Sequence, residues 1–145
     1  MTDGEEPQRS RRILLADSNE GVQQVVRQVA EQRGHRLIQA TTAKATLILC
    51  DEAQPDLVVL DLAFPDADGR DVLHQLKTRP TTAHIPVVVW SAREGHASDS
   101  RISLDLGAED YVEKDEPRAE AYIERDDAQL LLLKLERILL RLASK

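Results

Sequence analysis

The sequence has a single cysteine, Cys50, among 145 residues. That excludes an internal disulfide and a thiolate metal cage, and it fits a reducing compartment. Aromatic residues are 3% of the chain, so a core must be built from aliphatic side chains. No apolar run approaches the roughly 20 residues needed to span a bilayer, and the N-terminal MTDGEEPQRSRR is polar rather than signal-like. Excess positive charge is missing too. Asp and Glu number 26 against 19 Lys and Arg, a formal charge of -7, whereas a general nucleic-acid binder needs a basic surface. Neither GxxxxGK[ST] nor GxGxxG follows the first apolar run, where DSNEG stands, which removes the common nucleotide-phosphate loops. The expectation is an acidic cytoplasmic protein of one domain, with no membrane segment and no direct nucleic-acid partner.

What is present is a repeating pattern in a chain that is 41% apolar. Residues 1–10 read as a disordered tail. Ile13 to Ala16 form a short aliphatic run that ends at Asp17, and Val22, Val25, Val26 and Val29 recur at helical spacing until Gly34. RLIQA (36–40) is strand-like. Thr41 or Thr42 can cap a helix carrying Ala45, Leu47, Ile48 and Leu49. Leu57 to Leu60 deliver the chain onto Asp61, a short helix carries Val72, Leu73 and Leu76, and IPVVVW (85–90) lands on Ser91. A helix from about Ser98 to Leu106 stops at Gly107, DYVEK (110–114) ends at Lys114, and a Leu-rich helix over about 127–143 closes the chain. Five strands alternating with five helices predict an α/β, doubly wound five-stranded parallel sheet, because near-continuous aliphatic strands require cover on both faces.

In that architecture, functional groups gather at the carboxyl ends of the strands. Asp17, Asp61, Ser91 and Lys114 each stand at such an end. Two readings are open for them. They are ordinary solvated strand ends, or they are one site in which two carboxylates hold Mg²⁺ while an ammonium and a hydroxyl serve a phosphoryl group.

Four stretches, ILLADSNE, PDLVVLDLAFPDADG, IPVVVWSA and GAEDYVEK, resemble the receiver domain of two-component response regulators. Their order and separations agree over about residues 11–116, and the segment with Asp61, Pro65, Asp68 and Gly69 is the most specific. The resemblance implies a (βα)5 flavodoxin-like receiver fold with strand order 2-1-3-4-5, spanning residues 11–145. It also implies a phosphorelay role, with a histidine kinase or histidine phosphotransfer protein as partner. Asp61 matches the phosphoryl acceptor. Asp17, Asp61 and the carbonyl of Ala63 match the Mg²⁺ ligands, Lys114 matches the lysine on the phosphoryl group, and Ser91 and Tyr111 match the switch pair.

The sequence departs from that family in several places. Ser18 stands where a second acid is usual, which removes a charge and a strong oxygen ligand; weaker Mg²⁺ binding is expected, with Ser18 and Glu20 as further candidates near the ion. Asp115 replaces the proline after the lysine, and a trans bond is expected there because a non-proline cis bond costs roughly 2.5–4 kcal/mol. Ala63 offers no side chain to orient water and Arg93 could shield an acyl phosphate, so self-dephosphorylation is expected to be slow. Ala63 also leaves a phospho-aspartate hydrolase without its usual general acid.

Segment 115–127 is acidic. In the last helix Leu131, Leu135, Ile138 and Leu142 make one stripe, broadened by Leu132 and Leu139, while Leu130, Leu133 and Leu140 point elsewhere and suggest a homodimer through this helix. No output domain is visible, which leaves a stand-alone receiver and an excised one open. The alternative to a phospho-accepting switch is a pseudo-receiver, a binding or dimerisation module independent of phosphorylation.

Overall fold

Strand and helix alternate through ten elements: β1 (Arg12–Ala16), α1 (Glu20–Gln32), β2 (Arg36–Ala40), α2 (Ala43–Ala53), β3 (Leu57–Leu60), α3 (Gly69–Thr78), β4 (Val87–Ser91), α4 (His96–Asp105), β5 (Asp110–Glu113) and α5 (Arg125–Ala143). The structure is a computed structural model, and it describes residues 10–91, 96–114 and 124–144, apart from the side chains of 96–98. The expectations for the tail 1–9, for Arg93, for the Lys114–Asp115 bond and for segment 115–123 fall outside the described residues.

All pairings are parallel, in the order β2-β1-β3-β4-β5, which is the doubly wound (βα)5 sheet expected from the strand pattern. Both faces are covered, as the aliphatic strands require. Ile13, Leu15, Leu57, Val59, Val88, Trp90 and Val112 face α1 and α5, where they meet Val22, Val26, Val29, Leu131, Leu132 and Leu135. The alternate residues, Leu14, Ala16, Val58, Leu60, Val87 and Val89, meet Ala43, Cys50, Val72, Leu73 and Leu76 on the other side. The period of two along each strand thus divides one sheet between two cores.

Local chemistry adjusts the boundaries. Thr42, not Thr41, caps α2 by accepting from Ala45 N at 3.0 Å. β4 begins at Val87 rather than 85, because Pro86 has no N–H to give and Ile85 N donates to Thr82 O in the preceding turn. Helix α4 starts at His96, ahead of the expected Ser98. Helix α5 starts at Arg125, two residues early, since the Asp127 carboxylate accepts from Glu124 N and so lies inside the first turn. On α5 the expected stripe is buried except Leu142, which is half-buried, while Leu130, Leu133 and Leu140 are exposed at 56%, 46% and 56%.

The middle of α5 is tied to the end of α1 by a compact charge cluster. Arg33 donates to both oxygens of Glu136, at 2.9 and 2.6 Å. His35 Nδ1 accepts from Arg11 N, so its Nε2 carries the hydrogen and donates to Glu136 at 2.7 Å.

Candidate functional site

The parallel ladder continues up to the site residues. Asp17 N donates to Ala40 O, Asp61 N to Ala16 O and Lys114 N to Ser91 O, at 3.0, 2.9 and 2.7 Å. Gln23 of α1 adds a clamp, its buried amide donating to the carbonyls of Leu15, Asp17 and Ala40. The backbones at this end of the sheet are therefore held in place before any side chain interacts.

The loop after β3 has its own restraints. Gly69 N donates to Leu62 O, and a Cβ on Gly69 would lie 2.4 Å from the Leu62 Cα and 2.7 Å from the Asp61 carbonyl oxygen. Only glycine permits that approach. Asp68 caps α3 by accepting from Arg70 N. The Asp66 carboxylate accepts from Ala43 N and Lys44 N at the start of α2, which holds it below its usual range. Asp61 thus leads into a loop fixed at three points.

Four of the site residues expected from sequence come together. Ser91 Oγ donates to Asp61 Oδ1 at 3.1 Å. Lys114 Nζ donates to Asp17 Oδ2 at 2.6 Å and to Asp61 Oδ2 at 3.2 Å. All four are buried: Asp17 is 1% exposed, Lys114 3%, Ser91 7% and Asp61 8%. Solvated strand ends would not be; that reading is set aside by the burial itself. Among the described residues two acids face one base here, and Asp17 responds to its surroundings. Burial pushes its carboxyl above the ordinary aspartate range; the Lys114 ammonium opposes that, and the Asp61 charge reinforces it.

These groups stand at one end of a cleft of about 820 Å³ that is also lined by Ser18, Asn19, Ala63, Arg70 and Asp99. Ser18 is exposed at its wall. Glu20 does not join it: as the first residue of α1 it is exposed and lines a separate concavity with Gln23 and Arg27. Ala63 forms a single antiparallel bridge with Asp68 in the cleft wall. The Tyr111 ring is half-buried beside α4, and its hydroxyl is buried with no hydrogen-bond partner among the described residues. Burial pushes its pKa up, helped by Asp99, Glu113 and Asp61.

No group of three or more His, Cys, Asp or Glu side chains is gathered for a metal among the described residues. The donors that are present nevertheless suit a hard divalent ion. Asp17 and Asp61 already converge on one cation, the ammonium of Lys114, and both offer only oxygen.

The sequence reading missed three participants. Asn19 N donates to Asp17 Oδ1 at 2.9 Å while its side chain caps α1, a signal legible in DSNEG as a helix N-cap. Arg70 pairs with Asp68 at 3.0 Å and with Asp99 of α4 at 3.3 Å, a contact that no local pattern announces. Trp90 packs in the core with residues of α1 and α5, and its ring lies 4.9 Å from Lys114 Nζ, a contact between neighbouring strands that no local pattern announces.

Comparison with known proteins gives one family. Residues 13–124 match the response regulator receiver domain. KdpE of Mycobacterium tuberculosis, a transcriptional regulatory protein, is 39% identical over 102 residues, which are 70% of this chain and 43% of that protein. The chain spans a little under half the length of the curated relatives it matches. Among solved structures, the HemR receiver domain of Leptospira biflexa is 28% identical with a TM-score of 0.71, covering 89% of this chain and 94% of that one. The Mn²⁺-bound form of response regulator Rcp1 is 26% identical with a TM-score of 0.70, covering 83% and 91%.

Proposed function

Because the chain belongs to the response regulator receiver domain family, we propose that Asp61 accepts a phosphoryl group from a phosphohistidine on a histidine kinase or phosphotransfer protein. The observation that carries this reading is the environment of one carboxylate: buried at a strand end, with one oxygen bonded by Ser91 and the other by Lys114. An Asp61 oxygen attacks phosphorus, the P–N bond breaks as the P–O bond forms, and the partner's imidazole leaves and takes up a proton. The chain's part is positioning and charge. Lys114 follows the phosphoryl oxygens, and Ser91, released from Asp61, donates to another of them. Tyr111, whose hydroxyl lacks a partner among the described residues, is the group that moves with Ser91.

Asp17, Asp61 and the Ala63 main chain would hold a divalent cation such as Mg²⁺, which supplies positive charge to the phosphoryl oxygens when bound. Rcp1 takes Mn²⁺. With Ser18 neutral, the affinity here is lower than two adjacent acids would give. No helix among the described residues is long and apolar enough to cross a membrane. The exposed Leu130, Leu133 and Leu140 of α5 are the surface for self-association once Asp61 is phosphorylated.

A second reading is favoured by one contact. The 2.6 Å bond from Lys114 to Asp17 already neutralises an acid that a metal would need, as in a pseudo-receiver that signals without phosphorylation. One experiment separates the two. Intact mass and light scattering are followed together after treatment with a small phosphodonor, with and without Mg²⁺, for the wild type and Asp61→Asn. The first reading expects one Mg²⁺-dependent phosphoryl group, absent from Asp61→Asn, and a rise in oligomer with it. An unmodified chain that self-associates equally in every arm contradicts it.

A further inference from the structure

Asp17, Asp61 and Lys114 each lie two residues beyond a strand residue of the α1/α5 core, namely Leu15, Val59 and Val112. By strand periodicity their side chains leave the sheet on that face. Trp90 belongs to the same face and is paired in register with Val112, so Lys114 emerges diagonally across from it. The ammonium is thereby held from two sides, by carboxylates at 2.6 and 3.2 Å and by the Trp90 ring at 4.9 Å. Both residues are 3% exposed, where an aromatic face is worth most to a cation because water does not compete.

We propose that Trp90 is a positioning residue for Lys114, and that through it the charge state of the site is felt at the first turns of α5. The second half follows from the other neighbours of the ring. Trp90 lines a small concavity with Asp127, Leu130, Leu131 and Lys134 of α5 and packs in one core with Leu131 and Leu135, so the indole borders both the ammonium and α5. When Lys114 is drawn toward a phosphoryl group on Asp61, the cation over the ring moves and the packing against α5 changes with it. This half rests on the proposed phosphorylation of Asp61; the first half does not.

The chain contains one tryptophan, which makes the test direct. The Hε protons of Lys114, observed by NMR in the intact chain, should be shifted upfield by the indole ring current, and the shift should vanish in Trp90→Leu and shrink in Trp90→Phe. Trp90 emission should differ between wild type and Lys114→Gln before any phosphodonor is added. The wild type should change emission again as Asp61 is phosphorylated, whereas Lys114→Gln should not. Trp90→Leu should phosphorylate about 2- to 30-fold more slowly, the range a cation–π contact spans, with partial recovery in Trp90→Phe. Unshifted Hε protons and emission blind to Lys114 would overturn the proposal, whatever the stability of the variants. A ring-current shift in a chain whose mass never changes would uphold the positioning role and overturn the phosphorylation reading and the signal to α5.

Discussion

Two charge clusters, one half-buried and one buried, tie distant parts of this chain together, and they are built on opposite principles. Arg33, His35 and Glu136 join α1 and β2 to α5 with one acid, one fixed cation and an imidazole that donates. Asp17, Asp61 and Lys114 join β1, β3 and β5 with two acids and one cation. The first is balanced. Burial alone would raise Glu136, but the hydrogen bonds from Arg33 and His35 bring its carboxyl below the usual glutamate value. The second is over-acidic, and Asp17 ends above the usual aspartate value. Glu136 is depressed because two donors meet one acid, whereas Asp17 is raised first by its burial and then by the Asp61 charge, with Lys114 opposing both.

The largest effect should come from disturbing the shape of the site and not its charge. Gly69→Ala places a Cβ 2.4 Å from backbone that cannot give way, so a loss of about 1–3 kcal/mol is expected in urea denaturation, together with slower phosphorylation. Next is the balanced cluster. Glu136→Gln should lower stability by about 1 kcal/mol near neutral pH, since Arg33 and His35 lose a charged partner. The sign of its pH dependence follows from the depressed pKa. The stability is present above the unfolded glutamate value of 4.5 and is lost as pH falls through the lower folded value, so the gap between wild type and variant should close there.

The smallest effect should have the opposite sign. Asp17→Asn leaves one acid for one base, and it should stabilise the fold by roughly 1 kcal/mol while weakening Mg²⁺ binding in calorimetry. Because the folded Asp17 pKa is raised, this gain should shrink as pH falls through that value and wild-type Asp17 takes up its proton. Opposite signs for Glu136→Gln and Asp17→Asn would sharpen the contrast between the clusters; equal destabilisation by both would break it.

Much of this was legible in the residues. Aliphatic runs of four before Asp17 and Asp61, and VVVW before Ser91, announced strands covered on both faces, whereas DYVE before Lys114 carries one aliphatic residue and reads as a strand only by its place in the alternation; in a parallel sheet strand ends share one edge. The Asp61 loop announced itself through Asp68 and Gly69, whose cap and close approach are local. The balanced cluster was not legible, because Arg33 and Glu136 are about a hundred residues apart and each reads as an ordinary helix-surface charge. Arg70 with Asp99 and Trp90 with Lys114 were hidden for the same reason: their pairing is decided by which helices and strands become neighbours. Glu20 shows the converse, a residue near Asp17 in sequence that the start of α1 turns away from the cleft.

If Asp61 is the phosphoryl acceptor, the bond itself can be read. After treatment with a small phosphodonor and Mg²⁺, borohydride reduction converts an acyl phosphate on aspartate to homoserine, which peptide mass mapping locates. Homoserine is expected at position 61 and at no other acid. An unreduced Asp61, or a phosphoryl group found instead on Ser91, would contradict it.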